Sequence, residues 1–203
     1  FAGTSTQCGL PKKNPVSEEH FDDPLTTYDL HKTMAESYLK YFTKMKFING
    51  VSLRLTNVYG PGPKSSNSDR GILNLMIKKA LKSEDLTVYG DGNYVRDYIY
   101  IDDIISSFVL APMYIDKLKG NHFIIGSGAG ATIKEAINLV REKAVAFGST
   151  SIVKHIREPE SLSIIEKRDF ISDITRYKAI TGFSIKTNLN DGITKTIKHF
   201  FGG

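Results

Sequence analysis

Tyr28 and Lys32 stand four residues apart at the start of a long amphipathic stretch. On a helix that spacing places both side chains on one face, so a phenol and an ammonium can enter the same site. A free phenol has a pKa of roughly 10, and a nearby ammonium favours the phenolate, so such a pair can carry a proton near neutral pH. Upstream lies the hydroxyl cluster Thr4-Ser5-Thr6. The same spacing also suits a surface lysine beside a half-buried tyrosine. A second constellation, Gly126, Gly128 and Gly130-Ala131, lies between an apolar run and an amphipathic one and fits G-x-G-x-x-[GA]. Its glycines can cradle a pyrophosphate or simply supply positive φ in a tight connection. The following helix is expected to open at Thr132, after the glycines, with Thr132 and Glu135 as a capping box, which favours the connection.

The elements that must position these groups alternate. A strand end at residues 1–6 enters the hydroxyl-rich loop, and Pro11, Pro15 and Pro24 make 9–24 a loop. Residues 26–46 read as a helix, with Leu30, Met34, Tyr38, Tyr41, Phe42 and Met45 near a 3.6-residue period. A β-rich run over 50–59 ends abruptly at Gly60-Pro61-Gly62-Pro63. Strand, helix, strand with a long helical connection indicates parallel α/β pairing. A polar, mobile connection is expected at 64–70, then a helix over 71–82, strands over 86–89 and 95–101, and a helix to 113 with Asp102 or Asp103 as N-cap. A strand at 121–125, a helix at 132–147, a strand at 151–156 and helices at 172–181 and 190–200 follow, with Gly182 as a stop.

Composition bounds the function. The 203 residues, 40% hydrophobic and 24% charged, suit a folded domain with a real core. No apolar run approaches the roughly 20 residues that span a bilayer, so no membrane partner is expected. The chain opens Phe1-Ala2-Gly3 without an initiator methionine, which suggests a truncated, processed or fragmentary protein. One cysteine, Cys8, excludes an intramolecular disulfide framework and fits a cytoplasmic protein. Together with five scattered histidines it offers no metal-ligand spacing, so no metal is expected. A net charge of +5 suits an anionic ligand, but the lysines are spread evenly and no basic stripe with interleaved aromatics points to nucleic acid.

Five segments in order carry a resemblance: Thr4–Gly9; Pro24 to Lys32; Leu53-Arg54-Leu55-Thr56-Asn57 through Pro61; Val88 to Asp103, containing Gly90-Asp91-Gly92, Arg96 and Tyr98; and Phe123 to Gly128. Over nearly its whole length the chain resembles the C-terminal portion of the extended short-chain dehydrogenase/reductase family, in particular its NAD-dependent nucleotide-sugar epimerases and dehydratases of the UDP-glucose 4-epimerase-like kind. The resemblance implies an α/β fold: the C-terminal part of a Rossmann-like, doubly wound parallel sheet in residues 1–63, carrying the Tyr-x-x-x-Lys helix. Residues 64–203 would mainly form a small α/β substrate-binding region, with some segments returning to the sheet. It implies NAD as cofactor, a nucleotide-diphosphate sugar as partner, and a homodimer in the full-length protein.

Site residues follow position by position from that resemblance. Tyr28 is the implied acid/base, Lys32 holds the cofactor ribose, and Thr4 orients the sugar hydroxyl. Thr56 joins Tyr28 and Lys32 at the cofactor. Asn57, Arg96, Tyr98 and Arg168 contact the substrate, and the Gly126–Gly130 loop falls on the substrate side. In an epimerase the keto intermediate turns and takes the hydride back on its other face. Departures narrow the activity. Cys8 replaces the family's usual Tyr, and His31 replaces the common Ser. Ser5 and Thr6 stand where dehydratases carry Asp and Glu, and Thr6 stands where decarboxylases carry Glu. Epimerase is therefore the first reading, a reductase or dehydratase of the same family the second, and a non-catalytic nucleotide-sugar-binding fragment the third. The N-terminal cofactor loop is lacking, so the chain alone is expected to be inactive.

Overall fold

The computed structural model describes residues 1–62 and 71–202. The expected polar connection at 64–70 and Pro63 lie outside them. In chain order the described residues form β1 (Ala2–Thr4), α1 (Thr27–Lys44), β2 (Ser52–Leu55), β3 (Asn57–Tyr59), α2 (Ile72–Leu81), β4 (Leu86–Tyr89), β5 (Val95–Tyr100), α3 (Ile101–Met113), α4 (Ile115–Leu118), β6 (His122–Ile125), β7 (Gly130–Thr132), α5 (Ile133–Val145), β8 (Val153–Ile156), α6 (Thr175–Thr181) and α7 (Leu189–Gly202). Turns of 3₁₀ helix occupy Ser5–Cys8 and Ile164–Lys167.

The strand expected over 50–59 is two strands in two sheets. β2 lies between β1 and β6, all parallel, whereas β3 pairs in parallel with β5, which pairs antiparallel with β7; β4 and β8 form a third, parallel pair. The switch occurs at Thr56, whose N–H still donates to the Ile125 carbonyl at 3.1 Å. One residue later the ladder is with β5, Asn57 opposite Tyr98. Long helical connections between parallel neighbours give the α/β architecture that the sequence indicates.

Alternation along β2 and β6 sends two different chemistries to the two sheet faces. Leu53, Phe123 and Ile125 enter an apolar cluster with Ile104, Tyr177 and Phe183. A second cluster joins α2, α5 and α7 to β4 through Leu73, Ile77, Leu86, Val140, Ile193 and Ile197. The other face of β2 and β6 presents Ser52, Arg54 and His122 to α1. Arg54, 1% exposed, donates from Nε and Nη2 to Glu36 at 2.9 and 2.7 Å, and from Nη1 and Nη2 to Asp22 at 2.6 and 2.9 Å. Ser52 and Lys40 also donate to Glu36, at 2.7 and 2.6 Å. Helix α1 is thus fastened by its polar face. Its periodic apolar residues, Met34, Tyr38, Tyr41 and Met45, are exposed.

Two boundaries differ from the sequence expectation for tertiary reasons. The N-cap of α3 is Tyr100 rather than Asp102 or Asp103, because the helix leaves β5 without a loop. Asp103 instead accepts the backbone N–H groups of Lys186 and Thr187 at 3.0 and 3.1 Å. Helix α6 begins at Thr175 rather than at Ser172, because Ser172 bridges Val16 and donates to Asp97. The capping box expected at Thr132 and Glu135 is present.

The charged face makes stability acid-sensitive in two windows. Burial, then the charges of Arg54 and Lys40, pull His122 down to about 4. Burial pushes the Glu36 carboxyl up, but hydrogen bonds from Arg54 and Lys40 outweigh it and hold it at about 2. His122 is folded in its neutral form, so its contribution is intact above its unfolded pKa of about 6.5 and is lost as pH falls toward 4. Glu36 has the depressed carboxylate pattern: its contribution is intact above about 4.5 and is lost as pH falls toward 2. Urea unfolding should therefore lose about 2 kcal/mol between pH 7.5 and pH 5, and His122→Gln should remove most of that loss. An equal loss in the variant would refute the assignment.

Candidate functional site

In parallel sheets, ligands bind beyond the carboxyl ends of the strands, and there Thr4 ends β1 and Thr56 follows β2. A cavity of about 680 Å³ opens at that edge. Thr4, Tyr28, Lys32, Thr56, Asn57, Arg96, Tyr98 and Arg168 all line it. The eight residues singled out from sequence thus meet around one cavity, brought there by β1, the first turns of α1, the β2–β3 switch, β5 and the turn before Arg168.

At one end stand the proton-handling groups. Thr26 caps α1, its hydroxyl accepting the Asp29 N–H at 3.2 Å, so Tyr28 sits in the first turn and Lys32 one turn on. Tyr28 is 54% exposed. The Lys32 Nζ donates to the Ala2 carbonyl at 2.8 Å and lies 5.7 Å from the Tyr28 ring centroid, which leaves two of its three N–H groups for other partners. Thr4 caps the Ser5–Cys8 turn: Gln7 Oε1 accepts its N–H at 3.2 Å, and its own Oγ1 accepts the Thr6 N–H at 3.4 Å.

The same cavity is lined by an under-compensated positive charge. Arg96 donates from Nη1 to the carbonyls of Val95 (3.1 Å) and Arg168, and from Nη2 to the carbonyl and carboxylate of Glu166 at 2.6 and 3.2 Å. It clamps the Ile164–Lys167 turn and so aims Arg168. Arg168 is 6% exposed; it donates to the Ile165 carbonyl at 2.8 Å and to Asn57 Oδ1 at 3.4 Å. Among the described residues its Nε–H has no partner, nor has the buried Tyr98 hydroxyl. Burial, then the like charge of Arg96, pull Arg168 down to about 10. Burial pushes Tyr98 up to about 12 against the pull of both arginines. Buried donors without acceptors are costly.

The glycine loop is already filled from within. Asp97, fully buried, accepts from the N–H groups of Ser127 and Gly128 at 2.7 and 3.1 Å, from Ser127 Oγ at 2.6 Å and from the Ser172 N–H at 2.9 Å. The Ser172 hydroxyl donates to it as well. A Cβ on Gly126 would lie 2.3 Å from Ser172 Oγ and 2.6 Å from Asp97 Oδ2, so glycine there is required by close approach. The cradle therefore serves a protein carboxylate rather than a dinucleotide.

Sequence reading missed Asp29 and Glu166. Asp29 is 1% exposed and accepts from the hydroxyls of Thr6 and of Thr26, the latter at 2.7 Å. The signal available was Thr26-x-x-Asp29, a helix-start pair. Among the described residues no cluster of three His, Cys, Asp or Glu could hold a metal ion, and no helix is long and apolar enough to cross a membrane.

Residues 1–126 match the model of the NAD dependent epimerase/dehydratase family. A putative UDP-glucose 4-epimerase of Methanocaldococcus jannaschii is 27% identical over 93% of this chain and 58% of its own length. A dTDP-4-dehydro-6-deoxyglucose reductase of Escherichia coli is 30% identical over 91% of this chain and 55% of its own length. The chain thus spans a little over half the length of these relatives. The crystal structure of the Thermotoga maritima UDP-glucose 4-epimerase with UDP-glucose superposes with a TM-score of 0.86 at 28% identity, covering 98% of this chain and 62% of that one.

Arg168→Gln should weaken binding of inorganic pyrophosphate at least tenfold by calorimetry, since a charge-assisted hydrogen bond is lost. Unchanged affinity would place the anion elsewhere.

Proposed function

The chain belongs to the NAD dependent epimerase/dehydratase family, and on that premise we propose that the protein interconverts epimers of a nucleoside-diphosphate sugar through a transient keto sugar. The observation that carries this reading is the shared cavity, which Tyr28, Lys32 and Thr4 line together with Arg168, Tyr98 and Asn57.

NAD fits the residues present, because the exposed phenol of Tyr28, the uncommitted N–H groups of Lys32 and the hydroxyl of Thr56 offer donors and acceptors suited to a ribose. When bound, it supplies hydride acceptance and return. Tyr28 takes the proton of the reacting hydroxyl and gives it back after the sugar has turned. Lys32 holds the ribose and favours the ionised phenol. Thr4 orients the sugar. Arg168, with Tyr98 and Asn57, anchors the diphosphate during the turn, and Arg96 serves the same anion by holding Arg168 in place.

Residues 1–63 form the cofactor-side part in this reading and residues 64–203 mainly the substrate side, with β6 lying in the first sheet beside β2. We further propose a cytoplasmic homodimer for the full-length protein; the exposed apolar stripe of α1 supports self-association. A nucleotide-sugar reductase is the second reading, favoured by the 30% identity to the Escherichia coli enzyme; dehydration is disfavoured by Ser5 and Thr6.

Full-length protein incubated with NAD and a panel of UDP- and dTDP-sugars should convert one sugar to its epimer without net NADH. Stoichiometric consumption of reduced cofactor would favour the reductase instead. Tyr28→Phe should lower kcat about a hundred- to ten-thousandfold while KM moves only a few-fold; retained kcat would remove Tyr28 from the chemistry.

A further inference from the structure

Hydrogen accounting along the Thr4 wall determines which way its hydroxyl points. The Thr6 hydroxyl donates its one proton to Asp29 Oδ1. Thr4 Oγ1 and Thr6 Oγ1 lie 2.8 Å apart, and because Thr6 has no second proton, Thr4 must be the donor of that bond. Asp29 does not turn to take a different partner: its Oδ2 accepts from Thr26 Oγ1 at 2.7 Å, its N–H is capped by the same oxygen at 3.2 Å, and the residue is 1% exposed. The proton of Thr4 is thereby committed to Thr6, so toward a ligand in the cavity that Thr4 lines its Oγ1 can only accept.

We propose that Asp29, acting through Thr6, is a positioning residue that makes Thr4 a hydrogen-bond acceptor toward the ligand, so that this wall selects a hydroxyl and rejects a group that can only accept. The proposal rests on the nucleotide-sugar reading above. It predicts that a ligand hydroxyl facing Thr4 is held more tightly than a carbonyl or fluorine at the same carbon; because the one proton of the reacting hydroxyl goes to Tyr28, that carbon neighbours the reacting one. Two substitutions reverse the arrangement. In Asp29→Asn the side-chain NH₂ can donate to Thr6, whose proton then points to Thr4 and frees the Thr4 proton for the cavity. In Thr6→Val the Thr4 proton loses its partner and is freed directly.

The test compares, by calorimetry on full-length protein loaded with NAD, the affinity for UDP-glucose with that for its ring-fluorinated analogues, each with one hydroxyl replaced by fluorine. Wild type should prefer UDP-glucose over the analogue fluorinated at the carbon facing Thr4. Asp29→Asn and Thr6→Val should each shrink that preference about tenfold, at that carbon and no other, as expected for one hydrogen bond changing sign. A variant that merely loosened the site would weaken all probes together and leave the ratio unchanged. UDP-glucose binding with the same ratios in wild type and both variants would overturn the role of Asp29. No binding of any UDP-sugar by wild type would overturn the functional reading, and this inference with it.

Discussion

The buried guanidinium of Arg54 holds the architecture of the site in register. It bonds both Glu36 on α1 and Asp22 in the preceding loop, so it fixes a helix and a loop against a single strand position. Removing one partner of such a buried group costs about 3–5 kcal/mol, because the remaining charge is left uncompensated. Here nearly every acceptor is used: Glu36 also receives Ser52 and Lys40. Geometric specificity is the gain. An apolar contact between α1 and β2 would tolerate sliding, whereas a guanidinium bonded on two sides does not, and Tyr28 and Lys32 inherit that fixed height above Thr4 and Thr56.

A second buried ion repeats the device at the opposite edge. Asp97 gathers Ser127, Gly128 and Ser172 around one carboxylate, joining β5, the glycine loop and the segment ahead of α6. Arg96, its neighbour on the other face of β5, clamps the turn that presents Arg168. Adjacent residues on one strand thus point to opposite sides and organise two loops, one closed on a protein carboxylate and one left with free donors. That difference leaves the glycine-rich loop closed from within by Asp97.

Much of this was legible in the chain because the relevant signals are local. The 3.6-residue period of α1, the Thr132 and Glu135 cap and the punctuation at Gly90 and Gly182 all act within a few residues of themselves. Seven of the eight cavity residues lie in the short ordered motifs that carry the family resemblance; Arg168 lies outside them. What could not be read depends on distant partners. Nothing near Thr56 announces that β2 stops there; Ile125 on one side and Tyr98 on the other decide it. Asp103 resembles an N-cap until Lys186 and Thr187 arrive. The amphipathic pattern of α1 gave its helix but not its orientation, since charged residues rather than apolar ones face the sheet. Asp29 was hidden inside the motif that Tyr28 and Lys32 define.

The switch at Thr56 has a mechanical meaning. The cavity touches Thr4 and Leu55 in the first sheet, Asn57 and Tyr98 in the second and Thr87 and Tyr89 in the third. A ligand lying along it is therefore a strut between sheets that share no ladder with one another. Binding to the folded state alone adds stability by mass action, about 2.7 kcal/mol at a hundredfold excess over Kd, and in this architecture that increment falls on the seams between sheets. A ligand seated there would stiffen the molecule and act as one of its structural members.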